Sequence, residues 1–265
     1  MIENLFWLNS LVSLDPRLVG GKACGLAKLF KMGARVPEGI VIPADIAINE
    51  VIERELDEAI TILLAKCGPS TRFAVRSSAT VEDGVAASYA GMFKTVLDVG
   101  GDDVAMAVAD CRQSAKSARI DTYRSVMKRA DEATAPVAIV VQRMLNPSCS
   151  GVCFTINPIT GDTDEMVIEV AIGVGERVVS GIVTPDYYCM RLTDGALLCF
   201  EPGEDSVNGE PLLSEGDRLL VCTEAKTVSE SFGLPIDIEF AFAEDILYLL
   251  QARPITMAIK RVEIA

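Results

Sequence analysis

Two neighbouring β-rich runs, 236–242 and 246–253, carry the side chains best suited to chemistry. As the strands of a hairpin, they place their apolar residues on one face and put polar residues on the other: Asp237, Glu239, Gln251 and Arg253. Carboxylates, an amide and a guanidinium gathered in this way could hold Mg²⁺ and the phosphates that it bridges. From the hairpin alone, a solvated sheet face with an ordinary charge pair is the competing interpretation.

The turn of this hairpin decides which of these side chains meet. A three-residue turn at 243–245 pairs Phe242 with Ile246 and places Asp237 opposite Gln251. Glu239 is then diagonal to Gln251, at about 5–8 Å. The sequence therefore predicts a compact polar cluster on one side of the hairpin.

Two basic residues earlier in the chain could bind phosphate. Lys22 follows Gly20-Gly21, but Pro16 and Ala23 stand where a P-loop needs a glycine and a serine or threonine, so a P-loop is excluded. Arg76 ends a predicted strand and leads into a hydroxyl-rich loop, an arrangement that suits a polyphosphate. Taken singly, a lysine such as Lys22 is more often a surface lysine, and a segment such as that after Arg76 is more often a turn with polar caps.

Composition limits the classes of function. The formal charge of −14 argues against a nucleic-acid or acidic-membrane partner, and no apolar run of membrane-spanning length occurs. The eight cysteines are scattered, so we expect reduced thiols packed in a cytoplasmic protein, and the first residues lack a secretion signal. Because the sequence has no histidine, a histidine base or a phosphohistidine within these residues is excluded.

Periodicity predicts an α+β fold in two lobes with mainly antiparallel sheets. Helical and extended runs alternate before residue 131, and short β-rich runs dominate from Val137 onward. We place the boundary at 131–136, which gives an N-terminal lobe 1–133 and a C-terminal lobe 134–265. A ligand is expected in the cleft between two such lobes.

Short blocks of sequence in a fixed order carry a family resemblance. The early blocks are Lys22-Ala23-x-Gly25-Leu26, Val36-Pro37-Glu38-Gly39, Ala74-Val75-Arg76-Ser77-Ser78-Ala79-Thr80 and Ala87-Ser88-Tyr89-Ala90-Gly91. The later blocks are Val141-Gln142-x-Met144, Ser150-Gly151-Val152-x-Phe154-Thr155, Gly173-x-Gly175-Glu176, Pro185-Asp186, Asp237-Ile238-Glu239 and Gln251-Ala252-Arg253-Pro254. Together they resemble the ATP-binding domain of phosphoenolpyruvate synthases, pyruvate, phosphate dikinases and rifampicin phosphotransferases. The resemblance implies an ATP-grasp-like fold with ATP in the cleft.

The resemblance also implies roles for individual residues. The cations that hold the ATP phosphates and serve catalysis would be Lys22, Arg76 and Arg253. The phosphate loop would contribute Ser88, Ala90, Gly91 and Met92. The adenine edge would be contacted by Gln142, Arg143 and Met144. The Mg²⁺ ligands would be Glu239 and Gln251.

The same resemblance implies a division of labour between proteins. The family's swivelling histidine domain and its pyruvate-binding barrel have no counterpart in this sequence. We therefore expect the ATP-binding subunit of a split phosphotransferase that passes a phosphoryl group from Mg-ATP to a histidine on a separate partner protein. Two alternatives stay open: a non-catalytic ATP sensor or scaffold, and an ATP-grasp kinase or ligase that acts on a small molecule.

Overall fold

The computed structural model describes residues 2–10, 15–79, 94–126 and 137–255. The chain divides into two compact units, the first of Met1–Lys31 and Pro37–Leu145 and the second of Met32–Val36 and Asn146–Ala265. Each unit joins helices to an antiparallel sheet, which confirms the predicted α+β class with mainly antiparallel sheets. Among the described residues, no helix combines the length and apolar character needed to cross a membrane.

The first unit is built on a five-stranded sheet. Its strands are β1 (Phe6–Trp7), β2 (Gly39–Ile42), β3 (Phe73–Ala79), β4 (Thr95–Val99) and β5 (Val137–Arg143). Their order across the sheet is β1-β2-β5-β3-β4, and every neighbouring pair is antiparallel. The helices of this unit are α1 (Pro16–Lys31), α2 (Glu50–Cys67) and α3 (Val104–Val126).

The core of the first unit joins one face of this sheet to α2 and α3. Apolar side chains from all three elements are buried together, among them Leu56, Leu63, Phe73, Val75 and Val108. The start of α2 is fixed by Asn49, whose side-chain oxygen accepts hydrogen bonds from the backbone N–H groups of Val51 and Ile52 at 3.0 and 3.1 Å. Among the described residues, helix α1 contributes none to this core and contacts β3 and β5.

The second unit contains a six-stranded antiparallel sheet. Its strands are β6 (Cys149–Phe154), β7 (Glu165–Ile172), β8 (Asp186–Arg191), β9 (Leu197–Glu201), β10 (Ile236–Ala243) and β11 (Ile246–Pro254). They lie in the order β11-β10-β6-β7-β8-β9. Its helices are α4 (Glu176–Val179) and α5 (Glu215–Phe232), and α5 contacts β6, β10 and β11.

Strand β5 lies in the middle of the first sheet, whereas the sequence prediction put it in the C-terminal lobe. It pairs with β2 on one side and with β3 on the other, and all of its residues except Arg143 are buried. The first unit consequently extends to Leu145, beyond the predicted boundary at 131–136. The sequence misplaces β5 because a continuous apolar run fits the centre of either sheet equally well.

The β10–β11 hairpin has a two-residue turn, which corrects the predicted three-residue turn. Ala243 pairs with Ile246, and Glu244 and Asp245 form the turn with φ values of 53° and 57°. Positive φ at both central positions is typical of a type I′ turn, whose twist suits a hairpin. A bulge after Glu239 then shifts the register again, so that Glu239 pairs with Gln251.

Candidate nucleotide and metal site

The polar face of the β10–β11 hairpin brings Glu239 and Gln251 together. They are direct cross-strand partners, and the next pair along the hairpin is Asp237 with Arg253. Direct partners project from the same face, with Cβ atoms about 4.5–5.5 Å apart. The four polar residues therefore share one face, but Glu239 lies opposite Gln251, where the sequence prediction placed Asp237.

The side-chain oxygen of Gln251 is a buried acceptor without a hydrogen-bond partner among the described residues. The residue is 6% exposed, and its Oε1 atom accepts no hydrogen bond from the described part of the chain. A buried polar atom left without a partner costs about 1–3 kcal/mol. Coordination to Mg²⁺, which prefers oxygen ligands, would remove that cost. The residues present therefore fit the metal that the resemblance implies.

Asp237 holds Arg253 in place. The Nε and Nη2 atoms of Arg253 lie 2.8 and 2.7 Å from Oδ2 of Asp237. Burial raises the pKa of Asp237, and Arg253 only partly offsets this effect. About half of the Arg253 side chain is exposed, at 51%. The pair thus fixes a guanidinium on the same face as Glu239 and Gln251.

Glu169 is a further carboxylate on this face, and the sequence analysis missed it. Val152 pairs with Glu239 on one side and with Glu169 on the other, so the three residues form one row across the sheet. Burial raises the pKa of Glu169, and the negative charge of Asp237 raises it further. Its signal in the sequence is a lone charge within the apolar run 166–170.

An apolar patch adjoins the polar row. Val152 and Phe154 pack there with Ala171, Val178 and Val183. Ligand sites commonly combine such an apolar surface with a few polar groups that fix orientation. The arrangement suits a ligand that has both an apolar ring and charged groups.

In the first unit, Lys22 and Arg76 lie on the side of the sheet that α1 covers. The backbone N–H of Ala23, next to Lys22, donates to Oγ of Ser78 at 3.3 Å. Arg76 precedes Ser78 by two residues on β3 and so projects from the same face. The fold therefore brings the two predicted phosphate-binding cations to one side of this sheet.

The glycine before this lysine has a packing role. Gly20 has φ of 75°, and an added Cβ would lie 2.3 Å from Oγ of Ser78 and 2.4 Å from its carbonyl oxygen. No side chain fits there without moving the backbone of β3. Gly20 thus permits the close approach of α1 to β3, which explains this glycine without a P-loop.

The predicted adenine segment is tied into the first unit. Gln142 is buried, and its Nε2 donates to the carbonyl oxygen of Pro37 at 3.1 Å. The backbone N–H groups of Arg143 and Met144 donate to the carbonyl oxygens of Glu38 and Arg72. The backbone N–H groups of Arg143 and Met144 are therefore used internally and are not available to an adenine edge.

The predicted phosphate loop lies outside the described residues. This applies to all its predicted ATP contacts, namely Ser88, Ala90, Gly91 and Met92. Their roles stay predictions from the resemblance.

Comparison with known proteins gives a consistent picture. Residues 45–208 match the family described as pyruvate phosphate dikinase, AMP/ATP-binding domain. The prodigiosin synthesizing transferase PigC of Serratia marcescens is 32% identical over 95% of this chain and 33% of its own length. A probable phosphoenolpyruvate synthase of Methanocaldococcus jannaschii is 30% identical over 94% of this chain and 26% of its own length.

The chain therefore spans between a quarter and a third of these two relatives. Among solved structures, D-alanine–D-alanine ligase from Helicobacter pylori aligns with a TM-score of 0.39 and 14% identity, over 86% of this chain and 52% of the ligase chain. A TM-score at this level supports no argument about the site.

Proposed function

Because this chain belongs to the pyruvate phosphate dikinase AMP/ATP-binding domain family, we propose that it binds Mg-ATP and passes a phosphoryl group to a histidine on a separate partner protein. The observation that carries the proposal is the Glu239–Gln251 pair, whose buried amide oxygen lacks a hydrogen-bond partner among the described residues. A cytoplasmic location is part of the proposal, since ATP is the substrate.

The residues of the chain would act by position and charge. Lys22, Arg76 and Arg253 would bind the phosphate oxygens and balance the negative charge that moves during transfer. Asp237 would keep Arg253 oriented through the contacts of 2.7 and 2.8 Å. The segment 142–144 would border the adenine through groups other than the two N–H groups already used.

Glu239 and Gln251 would hold Mg²⁺. In the described part of the chain, no three Cys, Asp or Glu side chains form a metal-binding group. Mg²⁺ commonly binds one or two protein oxygens, and phosphate oxygens and water complete its coordination. Bound there, the ion would supply charge neutralisation to the phosphates.

The proposed acceptor is a histidine outside these 265 residues, because they contain none. In phosphoenolpyruvate synthases and rifampicin phosphotransferases, which the sequence resembles, the β-phosphoryl group moves to a histidine and AMP and inorganic phosphate are released. Little covalent chemistry would then fall to this chain. Its task would be to align ATP with the incoming imidazole.

Binding of Mg-ATP should raise the melting temperature of the chain. A ligand present at about a hundred times its Kd stabilises the native state by about 2.7 kcal/mol, which corresponds to about 5–10 °C for a chain of this size. Differential scanning fluorimetry with Mg-ATP and with Mg-GTP as the matched control measures this shift. No shift with Mg-ATP, together with no heat in titration calorimetry, would contradict the proposed function.

Phosphoryl transfer should depend on a second protein. With ATP labelled in turn at the β and γ positions, the chain alone should stay unlabelled and form little AMP. A histidine-containing protein that co-purifies with the chain is the candidate partner. Adding it should move the β-label to that protein, in a bond that is labile to acid and stable to base.

Other outcomes of the labelling experiment favour the alternatives. Rapid AMP or ADP formation with a small molecule and no second protein would indicate a kinase or ligase. Tight ATP binding without transfer under every partner condition would indicate a sensor or scaffold. Stoichiometric label on this chain alone would contradict the histidine route, since no residue here is a histidine.

A further inference from the structure

Two cysteines face each other across the β8–β9 hairpin of the second unit. Cys189 on β8 and Cys199 on β9 are direct cross-strand partners. Both are free thiols, Cys189 being buried and Cys199 exposed. The eight cysteines of the sequence all lie in described residues, and Cys199 alone among them is classed as exposed.

The register of this pair gives a backbone spacing that a disulfide can span. Directly opposed residues of antiparallel strands have Cα atoms about 4.5–5.5 Å apart, depending on their place in the hydrogen-bond ladder. Disulfides join cysteines whose Cα atoms lie about 4.4–6.8 Å apart, so the Cα separation suits a disulfide at either ladder position. Their Cβ atoms lie about 3.5–4.5 Å apart in a disulfide and about 4.5–5.5 Å apart in direct cross-strand partners, so closing the bond brings the two Cβ atoms up to about 1 Å closer. Because direct partners project from one face, the two sulfur atoms lie on the same side of the sheet.

A neighbouring contact supports the register of the two strands. Tyr188, just before Cys189, pairs with Phe200, just after Cys199, and the two rings stack with centroids 5.0 Å apart. On the opposite side of the cysteine pair, the strands shift register between Cys189 and Met190. The stacked rings thus fix the hairpin immediately beside the two thiols.

We propose that Cys189 and Cys199 form a reversible disulfide by exchange with a low-molecular-weight disulfide such as oxidised glutathione. The Cys199 thiolate attacks one sulfur of oxidised glutathione, forming a mixed disulfide and releasing one glutathione. Cys189 then loses its proton and attacks the Cys199 sulfur, which forms the internal disulfide and releases the second glutathione. The two protein thiols are oxidised, and one glutathione disulfide is reduced to two thiols.

The environments of the two sulfur atoms set this order. Burial, with a contribution from Glu165, raises the pKa of Cys189 to about 11, so this thiol is mostly protonated at neutral pH. Cys199 is exposed to a dissolved oxidant and reacts first. The bond joins β9, the edge strand of the sheet, to β8, the neighbour with which it pairs. Disulfides are rare in reducing compartments, and those that do form there are mostly transient or redox-sensing, as this reversible bond would be.

Peptide mapping tests the proposal directly. The full-length chain is incubated with oxidised glutathione, its remaining thiols are alkylated, and it is digested with trypsin. Cleavage after Arg177, Arg191 and Arg218 gives peptides 178–191 and 192–218, each with one of the two cysteines. We expect these peptides to migrate as one linked species that separates on reduction.

Variants supply the controls. Cys189→Ser and Cys199→Ser should each abolish the linked species, whereas Cys67→Ser, at a half-buried cysteine far along the sequence, should retain it. Two results would overturn the proposal. In the first, exhaustive oxidation leaves a glutathione adduct on Cys199 while Cys189 stays a thiol and is alkylated. In the second, Cys199 is linked to a different cysteine. Both are read from the unsubstituted chain, so they do not depend on the folding of a variant.

Discussion

Replacing Gln251 by alanine is expected to weaken Mg²⁺-dependent ATP binding by about ten- to a hundredfold and to leave ATP binding in EDTA nearly unchanged. The substitution removes a buried amide oxygen that has no hydrogen-bond partner in the described residues. The loss of one charge-assisted contact costs about 1.5–3 kcal/mol, which converts to this range of affinity. Isothermal titration with and without Mg²⁺ measures both constants.

Glu239→Gln should show the same selectivity, because Glu239 pairs directly with Gln251. Glu201→Gln, at an exposed carboxylate on the edge strand of the same sheet, is the matched control and should bind as the unsubstituted chain does. Equal losses with and without Mg²⁺ in the Gln251 and Glu239 variants would show that the pair supports the fold and does not hold the metal.

Replacing Asp186 by alanine is expected to lower the free energy of unfolding by about 3–5 kcal/mol, a loss typical of a broken buried hydrogen-bond network. The residue Asp186 is buried, with 1% of its surface exposed. It accepts hydrogen bonds from the backbone N–H groups of Gly203 and Leu212 at 2.7 and 2.9 Å. The hydroxyls of Tyr188 and Ser206 also donate to it. Without the carboxylate, several buried donors lose their acceptor at once.

The stability that Asp186 supplies should depend on pH. Burial by itself would raise the pKa of Asp186, but the hydrogen bonds from Ser206, Leu212 and Gly203 outweigh it and hold the pKa below the ordinary value of 3.8. A carboxylate with a lowered folded-state pKa stabilises the protein above its unfolded-state pKa and loses this contribution as the pH falls through the folded-state value. The difference between the unsubstituted chain and Asp186→Asn should therefore be constant above about pH 5 and shrink below about pH 4.

Urea unfolding at several pH values measures this effect. Asp164→Asn is the matched control, since Asp164 is an exposed carboxylate just before β7. The control should change the free energy of unfolding by no more than about 0.5 kcal/mol. An Asp186→Ala chain as stable as the control would show that the 202–213 segment, which supplies three of these donors, does not depend on the carboxylate.

Residues of the family motifs can bind ligand or can hold the fold. Pro185-Asp186 belongs to the blocks that carry the family resemblance, yet the contacts of Asp186 are with its own unit. Position 20 likewise requires glycine for packing, because a Cβ atom added there would lie 2.4 Å from the carbonyl oxygen of Ser78. A motif alone does not distinguish a residue that binds ligand from one that shapes the loop or helix beside the ligand.

The sequence by itself determined the class of the fold, the family and the polar face of the last hairpin. These features depend on local properties: alternation of apolar and polar residues puts Asp237 and Glu239 on one face of β10, and Gln251 and Arg253 on one face of β11. The ordered blocks from Lys22 to Arg253 predicted the ATP-binding family that residues 45–208 match.

Only the tertiary structure decided which residues meet. The turn at Glu244 and Asp245 and the bulge after Glu239 together set the Glu239–Gln251 pairing, because register depends on the twist and hydrogen bonding of both strands. The place of β5 between β2 and β3 was decided in the same way, since one buried apolar strand pairs as well as another until the whole sheet assembles. Glu169 on β7 and Glu239 on β10 are far apart in sequence, and they lie in one row because both pair with Val152 on β6. Pairing across a sheet joins distant segments, and no local pattern of residues specifies it.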